Sequence, residues 1–140
     1  MRVLIVNKFF YPRGGDCVVA MATRRMLADH GHEVRVFAMD YPDNDTIPDA
    51  AGYASRVDFG GGSSAKLRAS ARLFGKGDIV KSASEVLDSF RPDVVHLHNV
   101  HSYLSPLIGE LAHKRGIRVV WTLHDYKLLC PSYSCRRPSG

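Results

Sequence analysis

The chain has only three cysteines, a single tryptophan and nowhere eighteen consecutive apolar residues. An odd, small number of cysteines argues for reduced thiols and against a disulfide framework. Without a long apolar run no membrane-spanning helix is expected. Met1-Arg2 leads directly into an apolar segment and not into a charged leader with an apolar core, so a cytoplasmic chain is expected. Repeats and low-complexity arrays are absent as well. What is there is ordinary for one globular domain: 140 residues, 45% hydrophobic and 24% charged. The 19 Lys plus Arg exceed the 14 Asp plus Glu, giving +5. The excess gathers in residues 61–81, where Lys66, Arg68, Arg72, Lys76 and Lys81 face only Asp78. Such a surface attracts anions without choosing among nucleotides, nucleic acid and lipid.

The chain is organised around Arg2 to Asp16, RVLIVNKFFYPRGGD. Val3 to Val6 is a run of four apolar residues, three of them β-branched, which suits a central strand of a parallel sheet. Tyr11-Pro12 breaks the pattern, and Gly14-Gly15 allows positive φ or a close approach to a ligand. Asp16 can cap a helix from Cys17 to about His30, whose positive end favours anionic groups such as phosphate. Val18, Val19, Ala22, Met26 and Leu27 are expected on its buried side, and Gly31 as its C-terminal cap.

Val34 to Met39 reads as the second strand, completing a βαβ unit with parallel strands. Residues 40–54, with two prolines and several acids, read as an irregular loop, and Arg56 to Phe59 as a short edge strand. After the flexible Gly60 to Ser64 comes a basic segment with Leu67, Ala71 and Phe74 at helical spacing. It is expected to pack on the core as a solvated cationic helix. The alternative is an amphipathic helix that holds anionic membrane through Lys66, Arg68, Arg72 and Lys76. Asp78 to Phe90 is a clear amphipathic helix, ended by Arg91-Pro92. Strand 4 is expected at residues 93–98, a helix at 103–115 stopped by Gly116, and strand 5 at 117–123. The expected organisation is one domain over residues 1–127 and a loop or tail over 128–140.

Five strands alternating with helices predict an α/β, doubly wound, mainly parallel Rossmann-like sheet in the order 3-2-1-4-5, with helices on both faces. Ligands bind such sheets beyond the carboxyl ends of the strands, where the winding reverses, here between strands 1 and 4. Strand 1 should bring Arg13, Gly14 and Gly15 to that place. Strand 4 should bring His98, Asn99 and nearby His101, and strand 5 His124 and Asp125. Imidazoles and carboxylates there can bind hydroxyls or handle protons near neutral pH. His96 and His98 are expected on opposite faces of strand 4, with His96 a packed core histidine and no metal cluster formed with His101. His30, His32 and His113, at helix ends, read as surface residues. Cys130 and Cys135 lack the further ligands of a zinc site, so no metal is expected. A dinucleotide fold would place G-x-G-x-x-G directly after strand 1, and the Gly14-Gly15 loop lacks that spacing.

The segments VLIVNKFFYPRGGD, FRPDVVHLHNVHSY and VVWTLHDYKLLCPSYSC resemble the amino-terminal domain of retaining family 4 glycosyltransferases, which have the GT-B architecture. The resemblance runs from Met1 to about Cys135. It implies transfer of a sugar from a nucleotide-sugar donor to an acceptor hydroxyl with retention, without metal or further cofactor, and with this domain shaping the acceptor site. Implied partners are the nucleotide sugar, a glycan or lipid-linked acceptor and the carboxy-terminal donor domain, with no nucleic acid. By position, Gly14 and Gly15 match the loop that approaches the donor diphosphate and acceptor, with Arg13 beside them. His124 matches the histidine near the reacting centre, His98 and Asn99 match positions lining the cleft, and Asp125 follows the form of one branch. The nucleotide-binding half is missing from this chain, so little turnover is expected from it alone, and its end reads as that of a fragment. The competing expectation is a non-catalytic domain holding a glycan, nucleotide or anionic lipid headgroup in the same cleft.

Overall fold

A computed structural model of the chain describes residues 1–44, 50–55, 78–101, 104–126, 128–130 and 135. Its strands are β1 (Arg2–Val6), β2 (Glu33–Met39), β3 (Ala50–Ala54), β4 (Val94–Leu97) and β5 (Arg118–Trp121). Three helices alternate with them: α1 (Gly15–Asp29), α2 (Asp78–Phe90) and α3 (Leu107–Lys114). All four strand pairings are parallel and the order is β3-β2-β1-β4-β5, as the alternation of elements predicts. Val3 to Val6 on β1 are almost completely buried, because strands flank them and helices lie above and below. No described helix is long and apolar enough to cross a membrane.

Register assigns each side chain to a face. Leu4, Val6, Phe37, Met39, Val95 and Leu97 point to one side, where α2 and α3 bring Ile79, Leu87, Phe90 and Ile108. Val3, Ile5, Val34, Val36 and Ala38 point to the other side, which α1 covers with Ala20, Met21 and Leu27. Helices therefore lie on both faces.

Several boundaries and faces differ from the sequence reading. The third strand is Ala50–Ala54, inside the segment expected to be a loop. Gly52 suits the close packing of α2 on this strand: a Cβ there would come within 2.9 Å of Val86 Cγ2. Residues 56–59, read as the strand, and the basic helix at 65–77 lie outside the described residues, as does the start of the helix expected at Tyr103. The buried stripe of α1 is Cys17, Ala20, Met21 and Leu27, whereas Val18, Val19, Ala22 and Met26 are exposed. An i, i+3, i+4 stripe drawn from Cys17 leaves Val18 and Met26 on the outside. Gly31, at φ 77, and Gly116, at φ 73, do take the left-handed conformation just after α1 and α3.

Candidate functional site

The carboxyl end of β1 is tied down by Asn7, which is fully buried. Its Nδ2 donates to the Phe9 carbonyl at 2.9 Å and to Cys17 Sγ at 3.7 Å. Its Oδ1 accepts the Asn99 N–H at 3.0 Å, while the Lys8 N–H donates to the Asn99 carbonyl at 3.2 Å. One amide side chain thus joins the tip of β1, the first turn of α1 and the tip of β4. A polar residue closing an apolar run (VLIVN) was the available signal for Asn7, and the sequence reading missed it.

Beyond that tie, α1 begins at Gly15 with Gly14 as its N-cap, and no side chain caps it. Asp16 sits in the first turn instead of capping, with Oδ2 3.6 Å from Lys8 Nζ. Gly14 has φ −165°, an extended conformation, so the glycine pair is not there for left-handed backbone. The useful property is room: a Cβ at Gly15 would meet nothing within 4 Å. An uncapped helix start with free space beside it suits an anionic ligand. Arg13 precedes the pair, its guanidinium 4.3 Å from the centre of the Phe9 ring. Phe9 also packs edge-on to Tyr11 and Tyr41, which stack on each other.

On the α1 side of β4 and β5 the histidines form a row. The rings of His96 and His98 are 4.2 Å apart, and those of His98 and His124 are 5.2 Å apart. His96 and His98 were expected on opposite faces; residues two apart on a strand share a face, and these rings do. His96 Nε2 is 2.8 Å from Thr122 Oγ1, and His98 Nδ1 is 2.9 Å from His124 Nε2. Burial, reinforced by His96 and His124, pushes the pKa of His98 down to about 4. Burial and the neighbouring His124 also lower that of His96. Both rings are therefore neutral at pH 7. Burial, and then the Asp16 carboxylate, raise the Cys17 pKa, which leaves it a packed thiol and not a nucleophile.

The predicted residues are thus brought to one end of the sheet, but in different roles. His98 and Asn99 are buried, at 1% and 7% exposure, and the hydrogen bonds just described tie them to protein groups. His124 is half-buried and rests on His98. Asp125 turns to His101, with Oδ1 3.4 Å from Nε2. Trp121 Nε1–H donates to the His98 carbonyl at 2.9 Å, fixing β5 against the tip of β4.

A family model described as "Glycosyl transferase 4-like domain" matches residues 14–139, most of the chain. The chain belongs to that glycosyltransferase family. Among solved structures it is similar to the crystal structure of glycosyltransferase VinC in complex with DTDP, with a TM-score of 0.41 and 18% identity. That likeness covers 88% of this chain and 34% of the other, so the chain spans about a third of its length. No curated protein matches. In this glycosyltransferase 4-like domain, then, the sequence reading missed Asn7, Thr122 and Asp16 as parts of the site. Thr122 could have been found from strand register, since it continues the β5 face on which Val120 pairs with His96.

Proposed function

We propose that this domain is the acceptor-side half of a retaining GT-B glycosyltransferase, which moves a sugar from a nucleotide-sugar donor to an acceptor hydroxyl. The observation that carries this reading is the half-buried His124, supported by the buried neutral His98 at the same end of the sheet as the uncapped, roomy start of α1. His124 would contact the donor sugar near the reacting carbon. Gly14 and Gly15 would let the diphosphate or acceptor approach the first-turn N–H groups, and Arg13 would add positive charge at the rim. His98 and Asn99 would lie beneath the bound sugar, and Asp125 with His101 would brace its side. No metal enters this reading: charge on the departing diphosphate is met by helix N–H groups here and by basic groups of a separate donor-binding domain. This chain alone would bind donor weakly and turn over little.

Titration of the chain with nucleotide sugars, and separately with anionic lipid vesicles, tests the reading. Gly15→Glu places a carboxylate where the apo fold has space and where a first-turn acid is welcome, yet directly in an anion's way. Loss of nucleotide-sugar binding with unchanged thermal stability is the expected result. Salt-sensitive vesicle binding through Lys66, Arg68, Arg72 and Lys76, with no sugar transfer by a protein joining this chain to a donor-binding domain, would favour the non-catalytic lipid-binding alternative. In a protein joining this chain to a donor-binding domain, His124→Ala should lower turnover by on the order of a hundredfold. Unchanged turnover would remove His124 from the mechanism.

A further inference from the structure

Two buried polar atoms lie behind His124 without a hydrogen bond among the described residues: His98 Nε2 and Asp16 Oδ2. Buried polar atoms are seldom left so, and each asks for a partner. The strand order says where the two lie. β4 stands between β5, which leads to His124, and β1, which leads to α1 and Asp16. His98 spends Nδ1 on His124, so Nε2, across the ring, is turned to the β1 side. The Asp16 carboxylate is close enough to favour the charged form of that ring. The other charged or titratable groups around the pair are Lys8, 3.6 Å from Asp16 Oδ2, the Cys17 thiol next to Asp16, and the imidazoles of His96 and His124.

A carboxylate oxygen can only accept, whereas a neutral imidazole nitrogen either donates or accepts. With the His98 proton on Nε2, a donor N–H is directed to the side of the Asp16 carboxylate, whose buried Oδ2 accepts no hydrogen bond among the described residues and has only the 3.6 Å ion pair with Lys8. With the proton on Nδ1, a lone pair faces a negative charge and both buried atoms remain without a hydrogen bond. The first arrangement is favoured, and it fixes the rest. His98 Nδ1 must then be the acceptor in the 2.9 Å contact, so His124 is the donor through Nε2.

We propose that Asp16 and His98 are positioning residues for His124: Asp16 holds the His98 proton on Nε2, and His98 in turn fixes His124 as the Nε2–H tautomer, with its Nδ1 lone pair free for a ligand. Resting on the function proposed above, that lone pair would accept from a hydroxyl of the bound sugar, and the polar group thereby selected is a donor O–H, not a carbonyl. The backbone holds the His98 ring for this task. Its N–H donates to the Val6 carbonyl at 2.9 Å, and its carbonyl takes the Trp121 indole N–H.

The test is side-chain 15N NMR on the chain as it stands, which reads the tautomers whether or not sugar transfer is the function. In the wild type the bridging proton should be bonded to His124 Nε2, with a coupling across the hydrogen bond to His98 Nδ1. A proton bonded to His98 Nδ1 would overturn the proposal. Asp16→Ala should move the tautomer ratio of the pair toward the reverse arrangement by about tenfold, the scale of one hydrogen bond. Asp16→Asn, whose amide oxygen still accepts, should restore the original ratio. A ratio insensitive to both substitutions would overturn the role of Asp16. An intact His98–His124 pair combined with no sugar transfer by a protein joining this chain to a donor-binding domain would sink the proposed function and leave the tautomer assignment standing.

Discussion

The two faces of the sheet are built differently. On the side of α2 and α3, Phe37, Phe90, Leu4, Leu97 and Ile108 lock into one continuous core. On the opposite side, among the described residues, α1 packs on β1 and β2 and leaves Val120 on β5 49% exposed and His96 half-buried. The thick face holds the fold together. The thin face carries the buried His98, the half-buried His96 and His124, and Thr122. Under the proposed function, stability and chemistry are separated across a single sheet, and substitutions on the two sides should behave differently.

The largest effect belongs to the thick face. Phe90 is fully buried, with the guanidinium groups of Arg2 and Arg35 each 4.7 Å from its ring centre. Phe90→Ala should cost about 3–5 kcal/mol, read as a large fall in the urea unfolding midpoint. A loss below about 1 kcal/mol would deny that this face is the main support. Next comes the pH response of the thin face. The pKa of His98 is lowered from 6.5 to about 4, so the unfolded chain binds its proton more readily than the folded one. The contribution to stability is complete above about pH 6.5 and is lost as pH falls toward 4, amounting to about 3 kcal/mol. Unfolding free energies measured across that range should show the fall in the wild type and a smaller one in His98→Gln.

The order of the sheet was legible because each strand is an uninterrupted apolar or β-branched run separated by a helical period, and those patterns follow from burial on both faces. The third strand was not. Ala50-Ala51-Gly52-Tyr53-Ala54 has no β-branched residue, and the close packing of α2 at Gly52 is a tertiary feature that local preference does not reveal. The buried side of α1 was misread because Val18 and Met26 are apolar yet outward, and composition does not tell an uncovered apolar residue from a core one. At the site, strand ends were enough to collect His98, His124 and Gly15. What remained hidden was the pairing among them, because contacts such as His98 to His124 depend on register between strands that are distant in sequence.

The close packing of β3 gives a third, smaller prediction. Gly52→Ala puts a methyl 2.9 Å from Val86 Cγ2, so β3 and α2 must move apart, at about 1–2 kcal/mol. Truncating Val86 to Ala in the same chain should recover part of that loss, as expected of neighbours in contact. Recovery in the double-mutant cycle would locate the strain between β3 and α2, whereas simple additivity would place it elsewhere.

The smallest effect is expected at Val120, and it probes the comparison most directly. The residue is as apolar as Val95 on the neighbouring strand, yet it is half in water while Val95 is fully buried. Exchange of one methyl for a hydroxyl in Val120→Thr removes little buried apolar surface, and Thr suits a strand equally well. The cost should stay below about 0.5 kcal/mol, against well over 1 kcal/mol for Val95→Thr, which would bury a hydroxyl among aliphatic groups. Both differences can be read from unfolding midpoints under one set of conditions. Equal costs at the two positions would mean that the thin face is covered in solution. The row of imidazoles would then lie beneath packed protein, and no sugar could reach His124 along that side.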